Sequence, residues 1–263
     1  MTRQPVLFIS HGSPMRALDG GAWGEALREL GATLHPEAIL VASAHWEAEG
    51  PVRITAAAQP EVIHDFYGFP PALYEVDYPA PGHPDWAHRI AGALTSAGHT
   101  PVLDGVRGLD HGAWAPLVHL FPGADRPVLQ LSLPLDRTPD ALMAFGAALA
   151  PLREAGLLVI GSGGLVHNLR RLDWRHPDAA APEPWAAAFE AWAWERLQAR
   201  DGESLARWRE LGPEPRAAHP TSEHWDPLFV ALGALGAAGD AAPRPVFEGW
   251  ELGNLSLRSL VWD

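Results

Sequence analysis

Apolar positions along this chain fall into two spacings. Short continuous runs at 5–10 (PVLFIS), 37–44 (EAILVASA), 127–133 (PVLQLSL) and 157–160 stop at glycine, proline or histidine, which predicts strands, the first two of them buried, and 101–103 adds a short strand. Between them, 22–31 (AWGEALRELG), 84–98 and 139–156 repeat at helical spacing, and all three windows close on glycine. Strands alternating with helices predict right-handed βαβ units. The expected fold is therefore α/β, a single domain over 1–263 with a mainly parallel central sheet covered by helices on both faces. In the second half, 183–200 sets Trp185, Phe189 and Trp192 on one helical face as a core stripe. A proline-broken loop follows at 211–222, then a helix at 223–235 with Glu223 and His224 in its first turn, and a closing strand at 254–262. Glycines at 161–164 predict a turn, and the Ala- and Pro-rich stretches 177–186 and 238–245 predict loops.

Composition narrows the chemistry. The 263 residues are 47% hydrophobic and carry a formal net charge of -13, a field that repels phosphate backbones and anionic membrane surfaces, so neither nucleic acid nor membrane is an expected partner. No apolar run approaches the roughly eighteen residues needed to cross a bilayer, and no basic segment precedes a hydrophobic one. A cytoplasmic protein is expected. With no cysteine there is no disulfide, thiolate nucleophile or cysteine-held cluster. With no lysine, all 19 basic side chains being arginine, there is no Schiff base and no Walker P-loop. The 13 histidines are left to carry the chemistry together with carboxylates.

In an open α/β sheet, ligands bind beyond the carboxyl ends of the strands. His11 follows the first predicted strand, His45 the second, and His167 the loop after a later one. Side chains far apart in sequence are thereby brought toward one sheet edge. The glycines at 161–164 lack the GxGxxG spacing of a dinucleotide loop. His35, His83, His88, His99, His119 and His176 are expected to be solvated or to serve packing.

Six blocks carry a resemblance. They are Phe8-Ile9-Ser10-His11-Gly12-Ser13-Pro14, Ser43-Ala44-His45-Trp46, Ile63-His64-Asp65-Phe66-Tyr67-Gly68-Phe69-Pro70, Asp110-His111-Gly112, Gly164-Leu165-Val166-His167-Asn168-Leu169 and Pro220-Thr221-Ser222-Glu223-His224. In this order the chain resembles the 4,5-DOPA extradiol dioxygenases, of the class III extradiol ring-cleavage group related to protocatechuate 4,5-dioxygenase. The resemblance implies one mononuclear metal site, Fe(II) or Zn(II), with a small aromatic substrate and O2 as partners. It implies His11, His45 and His224 as ligands, with His167 either a fourth ligand or the nearby acid/base. Successive helical residues point about 100° apart, so Glu223 and His224 are not both expected to hold the metal, and of the two His224 is favoured.

The activity so implied is ring cleavage of a small catechol such as DOPA, with His167 and His111 as candidates for moving the hydroxyl proton. Asp110 is a candidate to hold His111 in one tautomer. His64 and Tyr67, in the stiff HDFYGFP segment, are expected to contact substrate, and His219 either supports the site or caps a loop. An acidic ring substituent would need a positive partner, for which Arg16, Arg107 and Arg170 lie nearest in sequence. Ligand identity alone leaves two alternatives open, a zinc-dependent hydrolase and a non-catalytic metal-binding protein on the same fold. The sequence carries no signal for oligomeric state.

Overall fold

The computed structural model describes residues 2–175, 181–236 and 242–263. Its strands are β1 (Val6–Ser10), β2 (Ala38–Ala48), β3 (Arg53–Thr55), β4 (Val102–Asp104), β5 (Val128–Pro134), β6 (Leu157–Gly163), β7 (Arg244–Phe247), β8 (Trp250–Glu251), β9 (Leu255–Ser256) and β10 (Ser259–Trp262). Eight form one sheet in the order β4-β3-β5-β2-β6-β1-β10-β7, and β8 pairs with β9 separately. The centre, β5-β2-β6-β1, is parallel throughout. Antiparallel pairs join β3 to β5 on one flank and β10 to β1 and β7 on the other. Central strands are buried on both faces, which is why they read as continuous apolar runs rather than alternating ones.

Two cores lie against the two faces. One joins Phe8, Leu40, Leu131 and Val159 to the helices Pro84–Ser96, Pro139–Leu149, Pro184–Ala199 and Pro227–Ala234. The other joins Leu7, Ile39, Val41 and Ile160 to the helices Gly21–Gly31 and His111–Leu120. Phe189 is at the centre of the expected aromatic stripe, with Trp185 and Trp192 packed at its margin. Among the described residues no helix is long and apolar enough to cross a membrane.

Several elements depart from the expectation. His111–Leu120 is a helix that the pattern does not announce, because HGAWAPLVHL is apolar almost all round and has no polar face to set a period. The expected glycine turn at 161–164 is mostly strand, since β6 runs to Gly163. The helix expected from 223 begins at Pro227, so Glu223 and His224 stand in the turn before it. The helix expected over 139–156 gives way at Ala150 to a 3-10 segment holding Pro151, which has no N–H for an α-helical ladder. The closing strand is broken into β9 and β10. Residues 176–180 and 237–241, which include His176 and much of the two expected loops, lie outside the described residues; from 184 the first stretch is helix, and 244–245 already belong to β7.

Candidate metal centre and active site

Adjacent parallel strands deliver the histidines. β1 and β6 pair Ser10 with Gly163, and β2 and β6 pair Ser43 with Ser162, so their carboxyl ends finish side by side. His11 follows β1 directly. His45 lies inside β2, where the ladder with β5 shifts register between Ala42 and Glu47. Such a bulge re-aims a side chain out of the strict alternation of a strand. His167 stands beyond β6, its N–H donating to the Ala218 carbonyl.

His224 reaches the same edge because the backbone before helix Pro227–Ala234 lies directly on β6. The Gly164 N–H donates to the His224 carbonyl at 2.9 Å. A Cβ at Gly163 would stand 2.1 Å from that carbonyl oxygen, and one at Gly161 would stand 2.3 Å from the Pro227 carbonyl oxygen. These glycines serve close approach of two backbones.

The ring nitrogens meet. His11 Nε2 and His45 Nε2 are 3.1 Å apart. Ser162 Oγ donates its hydrogen to the Gly112 carbonyl, so it accepts from His11 Nδ1 at 2.9 Å and leaves a lone pair on His11 Nε2. His45 Nδ1 faces Asp65 Oδ2 at 3.5 Å, which favours the proton there and a lone pair on His45 Nε2. With the outer nitrogens protonated in this way, two lone pairs face each other. Their separation matches neighbouring ligands on one ion, about 3.0–3.4 Å for bonds of roughly 2.1 Å.

A further lone pair comes from His224, whose Nδ1 lies 3.2 Å from Glu223 Oε1 and whose Nε2 is buried without a partner. Its ring centroid is 5.3 Å from that of His11 and 4.9 Å from that of His45. His11, His45 and His111 also bring ring nitrogens within 4.8 Å of one another, as do His167, Glu223 and His224 through their nitrogens and carboxylate oxygen. A metal ion fits this donor set, in which buried imidazole lone pairs converge and carboxylates or a hydroxyl fix the outer nitrogens.

His167 stacks on His224 with ring centroids 3.4 Å apart and planes 7° from parallel. Imidazole lone pairs lie in the ring plane. The lone pairs of His167 and His224 therefore run side by side and do not converge on one point. Burial, then neighbouring imidazoles, holds His11, His167 and His224 well below the ordinary imidazole range. For His45, burial is again the first cause, and His111 the second, of a fall to about 4.

His111 is held by Asp65, not by Asp110 as its sequence neighbour suggested. Asp65 Oδ1 accepts from both the backbone N–H of His111, at 2.9 Å, and its Nδ1, at 3.0 Å. Burial pushes the Asp65 carboxyl up, but the hydrogen bond and charge of His111, aided by His45, bring it down to about 2. Asp110 is fully buried and accepts from Ser43, Arg107 and Gln130. His219 supports the site from behind: its Nε2 donates to the Leu165 carbonyl at 2.9 Å, and the ring is packed among Phe189, Trp208 and Trp225. Asp65 and Ser162 were not singled out from the sequence, although Asp65 lies within HDFYGFP.

A cavity of about 680 Å³ opens over this cluster, with His11, His45, His111, His167 and His224 at its floor. Tyr67 lines it and is 92% exposed. His64 does not line it; its Nε2 donates to the Val76 carbonyl and its ring packs against Phe66, Tyr74 and Trp114. Arg16, Arg107 and Arg170 are likewise outside its lining. His119 is a packing histidine, its Nε2 on the Arg16 carbonyl and its ring against Trp23.

Comparison with known proteins agrees with this geometry. Residues 5–251 match the family described as the catalytic LigB subunit of aromatic ring-opening dioxygenase. A Beta vulgaris protein named 4,5-DOPA dioxygenase extradiol is 40% identical over 97% of this chain and 94% of its own length. An Escherichia coli protein of the same name is 40% identical over 98% of this chain and 94% of its own. A crystal structure of an uncharacterized Escherichia coli K12 protein superposes with a TM-score of 0.82 at 33% identity, covering 99% of this chain and 100% of the other. The chain therefore belongs to the LigB family of aromatic ring-opening dioxygenases and is an extradiol ring-cleaving oxidoreductase.

Proposed function

We propose that this enzyme opens a catechol ring at a single divalent metal ion held by His11, His45 and His224, with His167 and His111 moving the substrate proton. The observation that carries the ligand assignment is the 3.1 Å approach of two imidazole Nε2 atoms, with the buried, partnerless Nε2 of His224 in the same cluster. When bound, the metal would hold the catecholate and O2 together and pass electrons between them. Iron(II) is the proposed ion for this chemistry, since O2 activation needs a redox metal; Zn(II) suits the same imidazoles but has no redox chemistry of its own.

Every other step belongs to side chains of the chain. Asp65 keeps the Nδ1 proton on His111, so the nitrogen left for a hydroxyl proton is His111 Nε2. His167 is the second proton carrier rather than a fourth ligand, because its ring plane runs beside that of His224 instead of converging with it. One of the two imidazoles takes the second hydroxyl proton of the bound catechol, and a proton is returned later in ring cleavage. Tyr67 stands at the mouth of the cavity, where it would meet a ring substituent. DOPA, named in the relatives, is the first catechol to try.

Mixing anaerobically prepared, iron-loaded protein with catechols and then admitting oxygen tests the reading. The expected result is a yellow ring-fission product formed with uptake of equimolar O2. Oxygen-independent turnover of an ester or amide would instead support hydrolysis, and tight metal with no turnover would support a binding protein.

A further inference from the structure

The cavity is lined by two chemically different sets of side chains. One is imidazole and the carboxylate of Asp65; the other is apolar and includes Phe69, Leu172 and Leu255, with Tyr67, Leu169 and Trp174 exposed at its rim. Tyr67 at 92% and Trp174 at 66% are the most exposed aromatic rings among the described residues, and both stand on this one cavity. Exposed apolar side chains gathered around a concavity mark a surface built to be covered by a ligand. About 680 Å³ is also far more than one six-membered ring fills, and falls within the roughly 300–1,000 Å³ of sites for larger organic ligands.

Charge points the same way. Asp65 is the one carboxylate or guanidinium group among the described lining residues, and it is already bound to His111. The arginines nearest in sequence are directed elsewhere or stand in solvent. Arg16 pairs with Glu251 at 3.1 Å, Arg107 binds Asp110 and lies over the Trp46 ring, Arg170 lines a separate cleft with Trp208 and His219, Arg171 lies over the Trp185 ring, and the exposed Arg175 pairs with Asp173 at 3.5 Å; none of the five lines the cavity. A carboxylate on the substrate would lose water here without gaining a cation, whereas a hydrocarbon substituent would gain burial.

Building on the catechol-cleavage reading above, we infer that the preferred substrates are catechols bearing an uncharged, apolar substituent, seated between Tyr67, Leu169 and Trp174, in preference to the zwitterionic side chain of DOPA. Each methylene buried is worth about fourfold in binding. The test compares 4-n-butylcatechol with DOPA in two ways. One is kcat/KM by oxygen uptake with iron-loaded enzyme; the other is anaerobic binding, followed by quenching of tryptophan fluorescence. The expected result is a preference for butylcatechol of at least about tenfold in both. Trp174→Ala should narrow that ratio, and Leu169→Arg, which adds a cation at the exposed rim, should narrow it further by improving DOPA. A general structural defect would lower both substrates together and leave the ratio standing, and that outcome overturns the assignment of these side chains. Equal or better kcat/KM and binding for DOPA in the unmodified enzyme overturns the inference itself. If no catechol is cleaved, the catechol-cleavage reading fails, and the quenching ratio still decides the preference of the cavity.

Discussion

Asp65 and His111 are joined twice through one oxygen: Asp65 Oδ1 accepts from the backbone N–H and from the ring of His111, while Oδ2 of the same carboxylate faces His45. One carboxylate therefore orients a proposed ligand and a proposed proton carrier together. Outer partners of this kind are worth about 10–100-fold in metal affinity or activity. Asp65→Ala should lower both metal affinity and kcat by that order, and Asp65→Asn, which keeps an acceptor for His111, should recover part of the loss. Titration of the apo protein with metal, alongside oxygen-uptake kinetics, checks this; unchanged values in Asp65→Ala would remove the carboxylate from the account.

Ser162 makes the corresponding link for His11. Its hydroxyl lies between the Gly112 carbonyl and His11 Nδ1, in a fully buried position. Ser162→Ala leaves a donor and an acceptor unsatisfied, at a cost of about 1–3 kcal/mol. Urea unfolding should report that loss, and the same variant should bind metal more weakly because the tautomer of His11 is no longer fixed.

Gly163→Ala tests how His224 is delivered. The added methyl would meet the His224 carbonyl at 2.1 Å, backbone against side chain, with no flexible group to give way. We expect destabilisation of about 1–3 kcal/mol together with reduced metal content. An alanine variant with wild-type metal content and stability would show that the 222–226 turn does not depend on this contact.

Acid should unfold the metal-free protein early. Burial is the first cause holding the imidazole of His219 down to about 4, while the unfolded chain titrates near 6.5. A depressed folded value means that the stabilisation is complete above pH 6.5 and is lost as pH falls through 6.5 toward 4. This group alone accounts for roughly 3 kcal/mol across that window. Burial acts in the same direction on His11, His45, His167 and His224. Urea midpoints measured at intervals from pH 7.5 to 4.5 should fall steadily, and a flat profile would contradict the burial of neutral histidines.

Much of this arrangement is legible in the sequence, and the rest is hidden for physical reasons. Buried parallel strands announce themselves as apolar runs, and where the runs stop locates His11 and His45 and the approach to His167, although β2 itself continues past His45 to Ala48. His224 is reached only through the resemblance, because a turn lying on β6 has no period to read. The glycines at 161–164 mislead for the same reason: a glycine needed for close backbone approach looks in sequence like a glycine needed for a turn. Asp65 falls outside any spacing rule, since its partner His111 is 46 residues away and begins a helix whose uniform apolarity conceals it. Asp110, the nearer carboxylate, instead ties β2 and β5 together through Ser43 and Gln130.

The central claim is that imidazoles from His11, His45 and His224 converge on one ion while His167 works beside it. Metal content of the anaerobically purified histidine variants tests this most directly. We predict roughly one ion per chain in the unmodified protein and in an inactive His167→Ala, and strong loss of metal in His11→Ala, His45→Ala and His224→Ala. Full metal content in His224→Ala together with its loss in His167→Ala would contradict the account.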